Sequence, residues 1–355
     1  MAGKAGGALP PAVSIRKASC PTPLLNSFIL RPKGSEGTSK KTIRWATGLE
    51  QAGMKKRIKK RIRIAALLAL GLVLVGICLE LRLYDRIRFG ILEWRHAQEW
   101  KNRSLWLPEY RVVLTKEIAG INRNLSGLTW NYDTGTLFAI TNRPPTMAEL
   151  STDGELLRRI PLSGFHDTEA LEYLGNGNFV IAEEQKLRLS LVFVDALTTE
   201  IHAEEGRQMT LGTGDAGNSG LEGLAWDRAN RKLYAAKERH PVHIYEVGGF
   251  HSVPVVPADI EVSGDRDRDR RLFVSDLSGL EYHSRLQHLL ALSDTSKIII
   301  EIDKTGRPVS SLSLIMGNGL PGPVPQAEGI AMDDHENLYL VSEPNLFYVF
   351  AKPAP

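Results

Sequence analysis

Hydrophobic and polar positions along the chain form one short pattern that occurs five times. Each copy has a small or polar residue, then Gly or Ala, then Leu or Ile, and then an apolar strand that closes on a carboxylate or an amide. The copies begin at Ser126-Gly127-Leu128, Glu169-Ala170-Leu171, Glu222-Gly223-Leu224, Ser278-Gly279-Leu280 and Glu328-Gly329-Ile330. Their Gly or Ala positions lie 43, 53, 56 and 50 residues apart. Repeats of roughly 40–50 residues in strand-rich sequence are typical of β-propeller blades, so the pattern predicts an all-β propeller.

The repeat predicts five blades within residues 109–355. Six blades are possible only if the long stretch 247–276 contains a degenerate one. The last copy ends near Phe350, too early for a fourth strand, whereas residues 111–118 precede the first copy and belong to none. We expect this early strand to complete the last blade and close the ring, because closure removes unpaired sheet edges.

Three further segments are predicted before the repeats. Residues 1–61 begin with a stretch rich in Pro, Gly, Ser, Thr and Lys that has no sustained apolar period, which predicts a basic, disordered tail. Residues 64–79 are apolar on all sides, and with Ile62 and Leu81 they approach the roughly 20 residues that span a bilayer core, which predicts a transmembrane helix over residues 62–82. Residues 83–108 mix aromatic with charged residues, as either a helix at the membrane interface or a stalk packed on the propeller would.

The charge distribution predicts the orientation of this anchor. The net charge of +3 is small, but seven basic residues precede the apolar run: Lys55, Lys56, Arg57, Lys59, Lys60, Arg61 and Arg63. They favour a cytoplasmic N-terminus and an exported, periplasmic propeller on a bacterial inner (plasma) membrane. A cleaved signal peptide is the alternative, although no Ala-x-Ala-like site follows the run. Because the charges stand directly before the span, a role in topology is favoured over nucleic-acid binding.

Two repeat positions are polar where packing alone does not require it. The first position of the repeat is occupied by Ser126, Glu169, Glu222, Ser278 and Glu328. The position after the second strand is assigned to Asn142, Glu183, Glu238, Asp294 and Glu343. Inner strands of a propeller line its central channel, so these side chains are expected to converge. Carboxylates that converge in this way are either protonated, or solvated and paired with nearby Arg or Lys, or bound to a cation that lies among them. If a cation is present, oxygen ligands without cysteine favour Ca²⁺.

The repeat phrases also carry a resemblance to a known family. They read Leu125-Ser-Gly-Leu-Thr-Trp130, Asp167-Thr-Glu-Ala-Leu-Glu-Tyr173, Leu221-Glu-Gly-Leu-Ala-Trp226, Asp276-Leu-Ser-Gly-Leu-Glu-Tyr282 and Ala327-Glu-Gly-Ile-Ala331. The chain resembles the SdiA-regulated (YjiK-like) family, distantly related to NHL-repeat propellers. The resemblance implies a five-bladed propeller behind an N-terminal membrane anchor, with a calcium ion held by Glu169, Glu222, Glu328 and the matching acids of the second position. It implies no established activity.

Two functions follow from these features. The first is a calcium-binding module at the cell envelope that recognises a protein or small-molecule ligand. The second is a calcium-dependent lactonase or esterase, in which His166, beside Asp167 and Glu169, would act as general base. The chain has no Gly-x-Ser-x-Gly nucleophile motif, and a single His in a polar loop is usually not catalytic. We therefore favour the binding module.

Overall fold

The computed structural model describes residues 39–80, 82–212, 219–251 and 260–353. Helix α1 (Ser39–Glu80) contains Met54–Leu79, the one helix in these ranges that is long and apolar enough to cross a membrane. α1 begins within the segment predicted to be a disordered tail, because the Lys and Arg residues before the apolar run are good helix formers. Residues 1–38 of that predicted tail lie outside the described residues.

Helix α2 (Leu83–Trp100) packs on the propeller and occupies most of the predicted 83–108 segment. The Phe89 ring is buried and lies 4.7 Å from the Phe273 ring, centroid to centroid. The Glu93 carboxylate accepts a hydrogen bond from the backbone N–H of Ser311 at 2.7 Å. The opposite face of α2 exposes large hydrophobic side chains at helical spacing, namely Tyr84, Ile87, Ile91 and Trp94. A 3₁₀ turn (Leu107–Glu109) then leads into the propeller.

Five separate sheets follow, and each is a blade. Strand β1 (Arg111–Glu117) comes before the first repeat. Blade 1 contains β2 (Leu125–Asn131), β3 (Thr136–Asn142), β4 (Pro145–Leu150), β5 (Leu156–Ser163) and, at its outer edge, β9 (Ile201–His202). Blade 2 contains β6 (Thr168–Gly175), β7 (Asn178–Glu183), β8 (Arg188–Phe193) and β10 (Arg207–Thr210). Blade 3 contains β11 (Leu221–Asp227), β12 (Lys232–Lys237), β13 (His243–Gly248) and β14 (Glu261–Gly264). Blade 4 contains β15 (Gly279–His283), β16 (His288–Ser293), β17 (Ile298–Ile302) and β18 (Pro308–Ser313). Blade 5 contains β19 (Gln326–Met332), β20 (Leu338–Glu343) and β21 (Leu346–Ala351).

The ring closes as the sequence predicts. Strand β1 pairs antiparallel with β21, from Arg111 opposite Ala351 to Glu117 opposite Leu346, and supplies the fourth strand of blade 5. The long stretch 247–276 does not form a sixth blade. Its described part contains β14 and a short helix, α3 (Arg266–Arg271), which is capped by the Asp265 side chain. The prediction of five blades is therefore confirmed.

Apolar packing between neighbouring blades forms the core. The buried hydrophobic side chains divide into five clusters, and each cluster fills one interface between two adjacent blades. At the interface of blades 5 and 1, for example, Leu128 packs with Val341 and Phe347. Burial of such a side chain contributes roughly 1.5–3 kcal/mol. Because every interface is filled in this way, the five inner strands are held side by side around one axis.

Candidate functional site

The channel between the inner strands narrows to a neck at the repeated Gly and Ala positions. A Cβ atom at Gly329 would lie 2.6 Å from the backbone nitrogen of Leu128, and one at Gly127 would lie 2.8 Å from the Cα of Ala170. Small residues are therefore required where neighbouring strand backbones approach closely. The remaining cavity at the neck is only about 10 Å³, roughly the space of one water molecule. The neck therefore divides the channel into two ends.

Three glutamates from the first repeat position lie together at one end, which we call the acidic end. Glu169, Glu222 and Glu328 come from blades 2, 3 and 5. The charges of Glu328 and Glu169 raise the pKa of Glu222, and the charge of Glu169 raises the pKa of Glu328. Glu169 is held by two hydrogen bonds of 2.8 Å, from the Ser126 hydroxyl and the Asn142 amide. No described residue donates a hydrogen bond to the Glu222 carboxylate, so the described residues leave its charge uncompensated.

Burial is the main cause of the raised pKa of each of these three groups. Burial raises the pKa of Glu169 to about 7, although hydrogen bonds from Asn142 and Ser126 counteract it. Burial, followed by the charge of Glu328 and other nearby acids, raises the pKa of Glu222 to about 10. Burial also raises the pKa of Glu328 to about 8, with a further increase from nearby acids. Without a cation, the raised pKa values of Glu222 and Glu328 favour their protonated forms near neutral pH.

The strand register assigns the second position in blade 2 to Glu184, one residue beyond the predicted Glu183. In blade 1, Leu125 is paired with Thr141, and Asn142 comes next. In blade 2, the equivalent Thr168 is paired with Glu183, so the residue next in line is Glu184. The fully buried Glu183 carboxylate instead forms ion pairs with Arg188 and Lys186. The structure thus places Glu183 in an ion-pair network and Glu184 at the acidic end.

The other residues of the second position differ in how far they are already paired. The Asn142 Oδ1 atom is buried and has no hydrogen-bond partner among the described residues. Glu238 is paired with Arg239. Asp294 accepts hydrogen bonds from Lys297 at 2.5 Å and from the backbone N–H of Ala327 at 2.8 Å. Glu343 is partly buried, which raises its pKa.

Two overlapping groups of acids are close enough to share a cation. In each group, one ligand atom from every residue lies within 4.8 Å of the others: Asp167, Glu169 and Glu184 form one group, and Glu184, Glu222 and Glu238 form the second. Glu184 belongs to both groups, and burial raises its pKa. All these donors are oxygen atoms, and the unpaired Asn142 oxygen lies beside Glu169. This donor chemistry fits a hard divalent cation such as Ca²⁺.

Sequence reasoning missed Glu184 and Asp167 as members of these groups. Asp167 has a backbone φ of 53° and accepts hydrogen bonds from Arg143 at 3.2 Å and Gln185 at 2.7 Å. A signal for Glu184 was present in the spacing of the repeats. Glu184 follows Ala170 by 14 residues, as Glu343 follows Gly329, whereas Glu183 follows Ala170 by only 13. Nothing in the sequence indicated that Asp167 would lie beside Glu184.

The predicted general base, His166, is exposed. Its backbone N–H donates a hydrogen bond to Glu183 at 3.1 Å. Neither of the two described groups of acids includes a histidine. Within the described residues, the geometry thus provides no imidazole among the candidate cation ligands.

Comparison with known proteins extends over the whole propeller. A family model described as SdiA-regulated matches residues 102–351. A nidogen/laminin complex structure is similar at a TM-score of 0.41 and 13% identity, over 62% of this chain and 73% of that chain. A luciferin-regenerating enzyme is similar at a TM-score of 0.42 and 14% identity, over 67% of this chain and 95% of that chain. These two structural similarities are too low to carry an argument about function.

Proposed function

Because the chain belongs to the SdiA-regulated family over its whole propeller, and because buried and half-buried acids converge at one end of the channel, we propose that it is a calcium-binding propeller. The propeller is anchored in the bacterial inner membrane. It is exposed on the periplasmic side and serves there as a binding module for a protein or small-molecule ligand.

The carrying observation is the group of half-buried glutamates that form no ion pair with a described basic residue. Glu169, Glu222 and Glu328 each have a raised pKa, and Glu222 accepts no hydrogen bond from a described residue. Desolvated carboxylates that repel one another are stabilised by a cation placed among them. Ca²⁺ takes six to eight oxygen ligands in a flexible shell, which suits carboxylates contributed by different blades.

The membrane location is supported by the N-terminal helix and its flanks. Met54–Leu79 is long and apolar enough to cross a bilayer, and basic residues crowd its N-terminal part. Basic residues on that side favour a cytoplasmic N-terminus. In α2, Tyr84 and Trp94 are 77% and 78% exposed, and side chains of this kind prefer the membrane interface.

We rank binding above hydrolysis. The hydrolase hypothesis needs a proton-transfer group beside an open coordination position, and His166 is exposed and outside both described acid groups. A panel of lactones and esters, assayed with and without Ca²⁺, tests this second hypothesis. Calcium-dependent turnover that His166→Ala abolishes would reverse the ranking.

The test of calcium binding uses the full chain in a maltoside detergent. Elemental analysis should find a divalent metal that co-purifies, and Ca²⁺ at 100 times its Kd should stabilise the folded state by about 2.7 kcal/mol. The melting temperature should then rise by roughly 5–10 °C over that in chelator, for a domain of this size.

Matched variants assign the effect to the acidic end. The double variant Glu222→Gln/Glu328→Gln should lose most of the calcium-dependent rise in melting temperature. Glu204→Gln, an exposed acid in a loop, should retain it. A melting temperature indifferent to both chelator and Ca²⁺ in the unaltered chain would rule out the site.

A further inference from the structure

A second cavity lies at the other end of the channel, beyond the neck, and the repeat itself builds it. Its volume is about 710 Å³, within the range of small-molecule sites. None of the residues that line the neck lines this cavity. Its wall includes the residue three positions after every repeat Gly or Ala, namely Trp130, Tyr173, Trp226, Tyr282 and Met332. We call this space the aromatic cavity.

Two glutamates, each two positions after its repeat Gly or Ala, also line the aromatic cavity. The Glu172 carboxylate accepts a hydrogen bond from the Thr129 hydroxyl at 3.0 Å. Glu281 accepts hydrogen bonds from the backbone N–H groups of Tyr282 at 3.0 Å and Met332 at 3.2 Å. Burial, together with the charge of Glu281, raises the pKa of Glu172, and burial raises that of Glu281 to about 8.

The charge of this pair is not neutralised by a basic residue. Five acids and two arginines line the aromatic cavity. Of these, Arg285 is paired with Glu336, and Arg228 lies over the Tyr132 ring at 4.3 Å. Neither Glu172 nor Glu281 forms an ion pair with any described residue. A positive charge that entered the cavity would therefore favour the ionised forms of Glu172 and Glu281, whose carboxylates the described residues compensate only in part.

The aromatic wall suits an organic cation better than a hydrated metal ion. The stacking of Arg228 on Tyr132 shows that one ring of the wall already holds a cation. Trp226 is 7% exposed, and its Nε1–H has no hydrogen-bond partner among the described residues. The Trp130 Nε1 and the Tyr132 hydroxyl are unpartnered in the same way. Unpaired buried polar groups are rare and call for an explanation. The two indole N–H groups can only donate, so a ligand would have to offer them an acceptor atom, such as a hydroxyl oxygen, in addition to its charge.

We propose that the aromatic cavity binds a small organic ammonium ion, with its charged nitrogen directed at Glu172 and Glu281 and its body against the tryptophan and tyrosine side chains. This inference rests on the proposed function only in treating the propeller as a binding module. It does not require a calcium ion, because the neck separates the aromatic cavity from the acidic end.

The test titrates the full chain in maltoside detergent with matched pairs of probes. Each pair has a cation and a neutral analogue of similar shape: choline with 3,3-dimethylbutan-1-ol, and 2-phenylethylamine with 2-phenylethanol. Tryptophan fluorescence reports binding, since Trp130 and Trp226 are in the wall. We expect saturable binding of at least one cation, at least tenfold tighter than its neutral partner, in chelator as well as in Ca²⁺.

Variants then assign the binding to the two glutamates. Glu172→Gln and Glu281→Gln should each weaken binding of that cation at least tenfold, while Glu204→Gln should not. Glu222→Gln/Glu328→Gln should abolish the calcium response and leave cation binding intact, which separates failure of one site from failure of the other.

Three results would overturn the proposal. These are absence of saturable binding by both cations, equal affinity for a cation and its neutral partner, and full affinity in both glutamine variants. The second comparison needs no variant, so it stands even if a glutamine variant fails to fold. The third result would leave Glu172 and Glu281 as acceptors that only join neighbouring strands.

Discussion

The two ends of the channel both carry carboxylates from inner strands but compensate them differently. At the acidic end, Glu222 has no described hydrogen-bond donor, and its neighbours are mostly other acids. Glu172 lies three residues after Glu169 on β6, at the other end of the channel. It accepts a hydrogen bond from Thr129 and is surrounded by aromatic side chains. In the two proposals above, position along an inner strand, rather than residue type, decides which kind of cation a glutamate would bind. Clustered oxygen ligands suit a metal ion, whereas an aromatic wall suits an organic one.

Among single substitutions, the largest loss of stability is expected at the neck, because both ends of the channel depend on it. Gly329→Val would force a side chain against the backbone of Leu128, since even its Cβ would lie 2.6 Å from that nitrogen. We expect a loss of about 3 kcal/mol, since overpacking against backbone is not easily relieved. The melting temperature should fall by roughly 6–12 °C.

Gly322→Val is the matched control, because no atom lies within 4 Å of a Cβ at that position. Its melting temperature should stay close to that of the unaltered chain. Equal stability of the two valine variants would contradict the account of the neck as a contact between strand backbones.

A pH series in chelator distinguishes the two ends. The folded pKa of Glu222, about 10, lies above the unfolded value of about 4. The folded state therefore keeps a proton that the unfolded chain loses, and stability present at low pH is lost as the pH rises toward 10. This group alone should cost about 1 kcal/mol per pH unit. The melting temperature of the metal-free protein should fall between pH 6 and pH 9.5.

Glutamine variants assign this pH dependence to one end or the other. Glu222→Gln should make the melting temperature fall less steeply with pH over the whole range from pH 6 to pH 9.5. Glu281→Gln should do so only below pH 8, because the pKa of Glu281 is raised to about 8 and its contribution is complete above that pH. If both variants gave the same curve between pH 8 and pH 9.5, the proposed difference between the ends would be lost.

The smallest effect is expected from a change of Arg143, whose positively charged side chain lies at the acidic end. The Arg143 guanidinium pairs with Asp167 at 3.2 Å while being 71% exposed. Arg143→Gln should change stability by less than about 1 kcal/mol, as exposed ion pairs contribute little. It should tighten calcium binding about two- to fivefold, because removal of a nearby positive charge reduces electrostatic repulsion of the ion. Calorimetric titration with Ca²⁺ measures this, and weaker binding in the variant would contradict the location of the site near Asp167.

The fold could be predicted because each blade repeats one pattern. The five Gly or Ala positions gave the number of blades, and the unassigned strand before the first repeat indicated how the ring closes. The convergence of Glu169, Glu222 and Glu328 followed from the same logic, since equivalent positions of a propeller face one axis. Part of the aromatic cavity could also have been predicted. One repeat position, three residues after each Gly or Ala, contributes a residue of every blade to its wall, from Trp130 in blade 1 to Met332 in blade 5.

The second position was harder to predict, since it depends on strand pairing. The repeat spacing there varies by a residue, and the pairing of Thr168 with Glu183 places Glu184, and not Glu183, in line with Asn142. Whether an acid is already paired is equally invisible in the sequence. Glu183 is paired with Arg188 five residues further on, whereas Glu222 has no such partner among the described residues.

The sequence by itself determined the five blades, the closing strand and the first-position acids at the axis. These follow from the repeat pattern, which does not depend on how individual side chains pack. The tertiary structure decided that the channel narrows to a neck at its glycines, that Glu222 at one end has no hydrogen-bond donor among the described residues and that aromatic rings surround the carboxylates at the other end. These properties depend on distances between strands of different blades. Residues far apart in the chain set those distances through the packing of all five interfaces.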